Sequence, residues 1–533
     1  MEPVLIAGGG PVGLTTALLL ARWDVPSVVL EAASEPAPAG SRAICFQRDV
    51  LDILDRAGVA GELLAEGVTW TTGRTFYRSR ELFTVTFPDP GASTVPPWIN
   101  VSQDSAERAL LARAGAEPLI EVRFGHRVTG AASGAGGVTA DVVTGSSGRT
   151  ARVPGSHLVA ADGGRSTVRR ALRIGFPGRS YPDQFLICDI RAELPFPRER
   201  RFFFDPEWNP GRQVLVHQCP GGVWRVDWQV PDGFDLAAER AGGGLDARIA
   251  QITGGRPAEL VWASAYRFHE RVAQAFAAGR VFLAGDAAHL YAPFGARGLN
   301  SGLADAENLA WKLAFVRRGW APEALLGSYH AERAAAAAEN LRVTSATMEF
   351  LVPQTAQSRR RRELALERAV SDPAARALID SGKLAEPYWY TASPLTTQGP
   401  PLDGFPAEPG ALRPPVPGVL CPDAPCLAPD GTATRLRRLL GRSFVVLVPS
   451  AAEAGIAERA CRAATGSPVS AYPLDRIDGT GAIRRALAAT GSSVHVVRPD
   501  GHLAAVLPRL DPAALAAALR RATGLAGLPA PAG

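Results

Sequence analysis

Residues 3–33 read PVLIAGGGPVGLTTALLLARWDVPSVVLEAA, a segment with little freedom in how it folds. An apolar run (Val4, Leu5, Ile6) ends in a glycine cluster, and a helix-forming stretch follows over 12–23. A second apolar run (Val28, Val29, Leu30) closes on Glu31. Gly8, Gly10 and Gly13 stand at the three positions of the GxGxxG dinucleotide fingerprint. The first serves a tight turn, the second a close approach of backbone to pyrophosphate, and the third the packing of helix on strand. Pro11 and Val12 open the helix, whose free N–H groups and partial positive charge suit an anion. Glu31 lies where a carboxylate can hold a ribose diol, about 20 residues on. The pattern predicts a strand–turn–helix–strand unit of a parallel sheet around a dinucleotide. It does not choose between FAD and NAD.

Two later stretches bear on that choice. Residues 280–313 read RVFLAGDAAHLYAPFGARGLNSGLADAENLAWKL. The reading is a strand over 281–284, the pair Gly285-Asp286, a Pro/Gly-rich loop, and an amphipathic helix opening near Asn300. A carboxylate such as Asp286 at a strand end can accept hydrogen bonds from a polyol chain. The amides of Gly298, Leu299 and Asn300 can face the anionic edge of a reduced flat ring. Residues 157–172, HLVAADGGRSTVRRAL, place Asp162-Gly163 after a strand, with Arg165, Ser166 and Arg169 entering a helix.

In order and spacing these three stretches resemble the class A FAD-dependent aromatic hydroxylases, flavoprotein monooxygenases of the p-hydroxybenzoate/phenol hydroxylase family. The resemblance runs from about residue 3 to 343 by motifs, and more loosely beyond. It implies an α/β protein with a glutathione-reductase-type, Rossmann-like FAD-binding domain, an antiparallel β-sheet substrate domain and, as in longer members, a C-terminal thioredoxin-like domain. It implies FAD as cofactor and NADPH or NADH as co-substrate. Asp162 and Gly163 would help organise both, Arg42 would lie against the FAD phosphates, Gln103 near the flavin, and Pro293 with Gly295 would shape the loop at the ring's reactive edge. The implied reaction is transfer of one oxygen atom from O2, through a C4a-hydroperoxyflavin, to an aromatic, phenolic substrate. Members of this size act on 3-hydroxyphenylpropionate-like acids or on polycyclic natural products, and the aromatics of the β-rich segments mildly favour the polycyclic class. One departure stands out. Many relatives carry two adjacent glycines in the loop after Gly285-Asp286, whereas this chain reads Phe294-Gly295-Ala296-Arg297-Gly298, with a fixed charge close to the expected ring.

The cofactor domain reads as discontinuous, over 1–73, 101–178 and 270–395, with β-rich excursions over 74–100 and 179–269. Segments such as RRFFFD and GVWRVDWQV favour a half-buried antiparallel sheet. Phe202, Phe204, Trp224 and Trp228 are the expected substrate-pocket aromatics. A group that takes the phenolic proton would aid hydroxylation. His217, Tyr266 and His289 are candidates by type and location, with no base assigned. Residues 396–417 form a proline-rich linker. Beyond it, over 418–533, a βαββα order is expected: a strand in RSFVVLVPS, a helix, a hairpin turning at Pro499-Asp500-Gly501, and a last helix from Asp511. It lacks a CxxC pair, so packing or homodimerisation is its expected role.

Bulk properties exclude several classes. A net charge of +5 over 533 residues is too dilute to favour nucleic acid. No apolar run reaches the roughly 18–20 residues of a membrane span, and the first residues are expected to form the cofactor strand rather than a signal peptide. Six scattered cysteines form no metal-ligand set and suit a reducing cytoplasm. A flavin-dependent halogenase would carry a WxWxIP signature, but Trp224 and Trp228 are followed by Gln229-Val230-Pro231, and Lys312 and Lys383 are the only lysines. A disulfide reductase would need a redox cysteine pair and a second GxGxxG, and has neither. A Baeyer–Villiger outcome on the same fold stays open. A non-catalytic flavin-binding interaction protein is the reading that the intact motifs disfavour.

Overall fold

Val4–Ala7, Ser27–Leu30, His157–Ala160 and Val281–Leu283 are short apolar runs buried at every position, as strands covered on both faces must be. In the computed structural model, which describes residues 2–36, 43–87, 93, 95–134, 136–145, 148–399 and 413–527, they form the centre of a six-stranded sheet. Its order is Ala277–Ala278, Val281–Leu283, His157–Ala160, Val4–Ala7, Ser27–Leu30, Ile120–Arg123. The central pairs are parallel, with Val4 opposite both His157 and Ser27. Helices Pro11–Ala21 and Arg297–Arg317 pack on one another beside the sheet.

Glycine makes that approach possible. Gly8 has φ of +102°, and a Cβ there would lie 2.3 Å from the Ala161 carbonyl oxygen. A Cβ on Gly13 would lie 2.0 Å from Gly8 O. Gly302, inside the long helix, lets it come within 3.1 Å of the Gly285 Cα, measured from where its Cβ would stand. A three-stranded antiparallel ribbon, His126–Gly134, Gly137–Thr144 and Arg149–Gly155, lies on this unit. The sequence reading assigns no strands there.

A second sheet has eight strands, in the order His289–Leu290, Ala258–Val272, Gly178–Ala192, Val223–Val230, Gln213–Gln218, Arg200–Phe204, Thr72–Tyr77, Arg80–Thr86. All neighbours are antiparallel except Arg200–Phe204 with Thr72–Tyr77. Both faces are covered, and the two-residue period sorts them. Leu186, Cys188, Val226 and their neighbours pack with Leu245, Ile249 and Ile252 of helix Gly244–Thr253. Phe185, Ile187, Leu215 and Phe268 point the other way.

This phase corrects the choice of pocket aromatics. Trp224 and Trp228 lie opposite Ile190 and Leu186 and belong to the helix-covered face. Phe202 and Phe204 lie on the other face but are fully buried. Phe202 meets Phe294 edge-on at 6.1 Å, and Phe204 meets Phe350 at 5.7 Å. All four are core residues.

The tail has a four-stranded sheet, in the order Val469–Pro473, Phe444–Val448, Val494–Val497, Leu503–Leu507, with helices Ala451–Ala464 and Pro512–Ala522. Val469–Pro473, parallel to Phe444–Val448, is a strand absent from the expected order. Its residues are half-buried and include Ser470 and Pro473, so no apolar run announces it. The tail sits directly on the long helix, with Phe444 edge-on to Trp311 at 6.0 Å and to Phe315 at 5.8 Å. Of the proline-rich segment, 400–412 lie outside the described residues. Its flanks are anchored: Thr397 N donates to Ala504 O at 2.9 Å, and Arg413 pairs with Asp49 and Glu386. Among the described residues no helix is long and apolar enough to cross a membrane.

Candidate functional site

A cavity of about 400 Å³ opens between the two sheets. Gly10, Pro11 and Val12 bring the N-terminus of one helix to it, and Gly298, Leu299 and Asn300 bring that of another. Gln103, Gly163, Asp286 and Pro293 line it as well. The glycines divide by role. Gly8 and Gly13 are fixed by protein contacts, whereas a Cβ on Gly10 or Gly298 would meet nothing within 4 Å among the described residues beyond its own chain neighbours. The space over those two is open among the described residues.

Behind the cavity wall, Glu31 Oε2 accepts from Gly9 N–H at 2.6 Å and Oε1 from Ala33 N–H at 2.8 Å, so this carboxylate also holds the glycine turn in shape. Asp162 Oδ2 accepts from the amides of Thr167 and Val168 at 2.7 and 3.1 Å, while its Oδ1 is buried with no partner among the described residues. Gln103 accepts from Ala43 N–H and donates to Glu107 Oε1 at 2.8 Å. Arg42 lies outside the described residues. Two helix N-termini at one cavity, two open glycines, an orphaned carboxylate oxygen behind its wall and Asp286 in its lining are groups that suit the phosphates and hydroxyls of a flavin dinucleotide.

The second turn is built on Asp305, which sequence reasoning passed over. Fully buried in the long helix, it accepts from Gly285 N–H at 2.9 Å, His289 Nε2 at 2.7 Å and Arg333 Nε at 2.5 Å. Burial alone would raise its carboxyl, but Arg333 and then His289 hold it below the ordinary value. His289 is thus turned away from the cavity, stacked on Tyr291 at 4.8 Å, and is a structural residue rather than a base. Asn300 ties its helix to Cys45–Gln47 through Cys45 O and Gln47 N–H. Arg297 is buried, with its guanidinium donating to Asn340 Oδ1 and to the carbonyls of Lys383 and Leu384. It staples the 383–384 loop across the helix start. Lys312 is sealed against Glu332 at 2.7 Å and does not reach the cavity.

The far wall is the part of the second sheet's other face that its core leaves to the cavity. Phe185, Ile187, Leu215, Trp262, Tyr266 and Phe268 give it a flat apolar surface. Register places Asp227 between Ile187 and Leu215, and Arg225 between Asp189 and His217. Arg225 donates to both oxygens of Asp189, at 2.6 and 2.9 Å. Burial, followed by the charges of Arg200 and Arg225, pushes His217 far below its ordinary value, so its imidazole is neutral. Burial pushes the Asp227 carboxyl up to about 7, against the pull of Arg225. Of the three candidate bases, His217 and Tyr266 line the cavity and His289 does not. The sequence signal for Arg225 and Asp227 was present in VWRVDWQV, where two charges alternate with bulky apolar residues and so must share one face.

Residues 1–344 match the family described as FAD binding domain. Over 97% of this chain and 93% of the other, the sequence is 30% identical to 6-methylpretetramide 4-monooxygenase of Streptomyces rimosus. It is 32% identical to 3-(3-hydroxy-phenyl)propionate/3-hydroxycinnamic acid hydroxylase of Mycobacterium sp. (strain JLS) over 62% of this chain, a match that spans 57% of that protein. Among solved structures, aklavinone-11 hydroxylase in ternary complex with FAD and aklavinone superposes with a TM-score of 0.78 at 26% identity, covering 98% of this chain and 99% of that one. The monooxygenase PieE, at 24% identity and a TM-score of 0.84 over 98% and 99% of the two chains, has the same fold. The chain belongs to the FAD-binding domain family.

Proposed function

We propose that this protein is an FAD-dependent, NAD(P)H-consuming monooxygenase that hydroxylates a phenolic, polycyclic aromatic substrate. The observation that carries the reading is the continuity of one cavity from two helix N-termini to a flat aromatic wall. Proteins that match along nearly the whole chain are named 6-methylpretetramide 4-monooxygenase and aklavinone-11 hydroxylase, which supports the same reaction class.

In this reading the turn of Gly8, Gly10, Pro11, Val12 and Gly13 takes the pyrophosphate, with Glu31 at the adjoining ribose. Asp286 takes the ribityl chain. The amides of Gly298, Leu299 and Asn300 face the ring edge, with Pro293 and Gln103 flanking it and Asp162-Gly163 closing the nucleotide side. Bound FAD supplies the activation of oxygen at the expense of a nicotinamide. The chain's own contribution is to bind, orient and keep the site dry: Phe185, Ile187, Leu215 and Phe268 exclude water from the aromatic face, and Tyr266 and Trp262 lie along its edge.

The domain division proposed from sequence is supported by the sharing of one sheet between 72–86 and 178–272. For 418–533 a thioredoxin-like fold is supported by the parallel pair Phe444–Val448 and Val469–Pro473 followed by an antiparallel hairpin and a final helix. Its cysteines are buried and unpaired, which suits a structural role and a reducing cytoplasm.

Purified protein should be yellow, and a polycyclic phenol should stimulate NADPH oxidation with gain of one oxygen atom in the product. Asp286→Ala should lower the FAD affinity by about tenfold or more, the worth of a lost charge-assisted hydrogen bond, read as the flavin-to-protein ratio after gel filtration. Full flavin retention would remove the ribityl assignment.

A further inference from the structure

The sheet wall carries a carboxyl that the reading above leaves without a task. Asp227 is half-buried at the centre of an otherwise apolar strip, between Ile187 and Leu215 on the adjoining strands. Its Oδ1 has no hydrogen-bond partner among the described residues. A buried carboxyl oxygen without a donor costs stability unless something fills the role. The nearest cation does not fill it, because Arg225 closes both oxygens of Asp189 and lies under the Trp262 ring at 5.6 Å. One diagonal step away, on the next strand, His217 also lines the cavity, and its Nδ1 likewise has no partner among the described residues. The wall therefore offers a hydrogen-bond acceptor and a neutral imidazole within a flat apolar slot.

We propose that Asp227, with His217 beside it, receives a hydroxyl of the substrate and accepts its proton, so that the cavity selects uncharged hydroxyarenes over aryl carboxylates. The inference rests on the cavity being the substrate site. The phenolic O–H bond breaks, the proton passes to the Asp227 carboxylate, and the electron pair stays on the aryl oxygen, where it enriches the ring for attack. An aryl carboxylate would instead set its charge against Asp227, with the cation beside it already paired.

The test is equilibrium dialysis of the FAD-loaded protein at about pH 8, where a carboxyl raised to about 7 is mostly ionised, against 2-naphthol and against 2-naphthoate, without NADPH. Wild type should retain the hydroxyl compound about tenfold more tightly, the consequence of one satisfied against one unsatisfied buried group. Asp227→Asn, close in size, should keep its FAD and narrow the preference to about threefold or less. Asp227→Leu should bind the hydroxyl compound no better than the carboxylate. Retention of the full preference in both variants would overturn the proposal, as would equal binding of the two probes, or none, by wild type. Failure of the hydroxylase reading would show separately, as a colourless protein or one whose NADPH oxidation no phenol stimulates.

Discussion

Asp305 shows how much a single carboxylate can organise. It joins the Gly285 amide, His289 and Arg333 at one buried point. Replacing it with Asn would leave Arg333 buried beside a neutral amide, and stability should fall by about 3–5 kcal/mol, read by urea denaturation at neutral pH. The pH dependence has a definite sign. The folded carboxyl is held below its ordinary value by Arg333 and His289. Its contribution is therefore complete above the unfolded carboxylate value near 4 and is lost as pH falls through the lower folded one. The gap between wild type and Asp305→Asn should be full at pH 7 and close only in acid. No sequence motif marked this residue, because a lone Asp inside a helix carries no local pattern. The glycine turn was legible for the opposite reason: the contacts of Gly8 and Gly13 arise within a few residues of chain and from one neighbouring strand.

At the scale of elements, the start of the helix Arg297–Arg317 is the least relaxed piece of the site. Ala296 caps it at φ of +54°, a left-handed conformation that disfavours any side chain. Ala296→Gly should stabilise the protein by up to about 1 kcal/mol, visible as a higher denaturation midpoint, without disturbing Arg297 and its bonds to the 383–384 loop. A fall in the midpoint would mean that the methyl group packs usefully. The strands of the second sheet were legible as strands, but their facing was not. Alternation identifies two faces, and here helices cover one while the cavity and a second core share the other, so Trp224 and Phe202 gave no hint of which side they took. The parallel pairing of Arg200–Phe204 with Thr72–Tyr77, and the tail strand Val469–Pro473 itself, depend on partners that no local window of sequence contains.

At the scale of the whole molecule, the tail is not an appendage. Arg498 reaches from it to both oxygens of Glu332 on the helix Gly327–Leu351 and to Asp500 of its own turn. Lys312 joins the same carboxylate, and burial pushes that amine down to about 8. All four groups are buried. Calorimetry should therefore give a single transition for tail and body. Arg498→Met should lower stability by about 3–5 kcal/mol and separate the two into distinct transitions; an unchanged thermogram would show the tail to be independent. The pleat of the second sheet has a different outcome. Along 223–230, residues 225 and 227 line the cavity, and 224, 226 and 228 face the helices. In the proposed reading, the choice of guest and the firmness of the house are thus written in alternate letters of one short word. Since Arg225 is tied to Asp189 and Gln229 to Asp183, a library confined to position 227 is the one expected to change the guest while leaving the house standing.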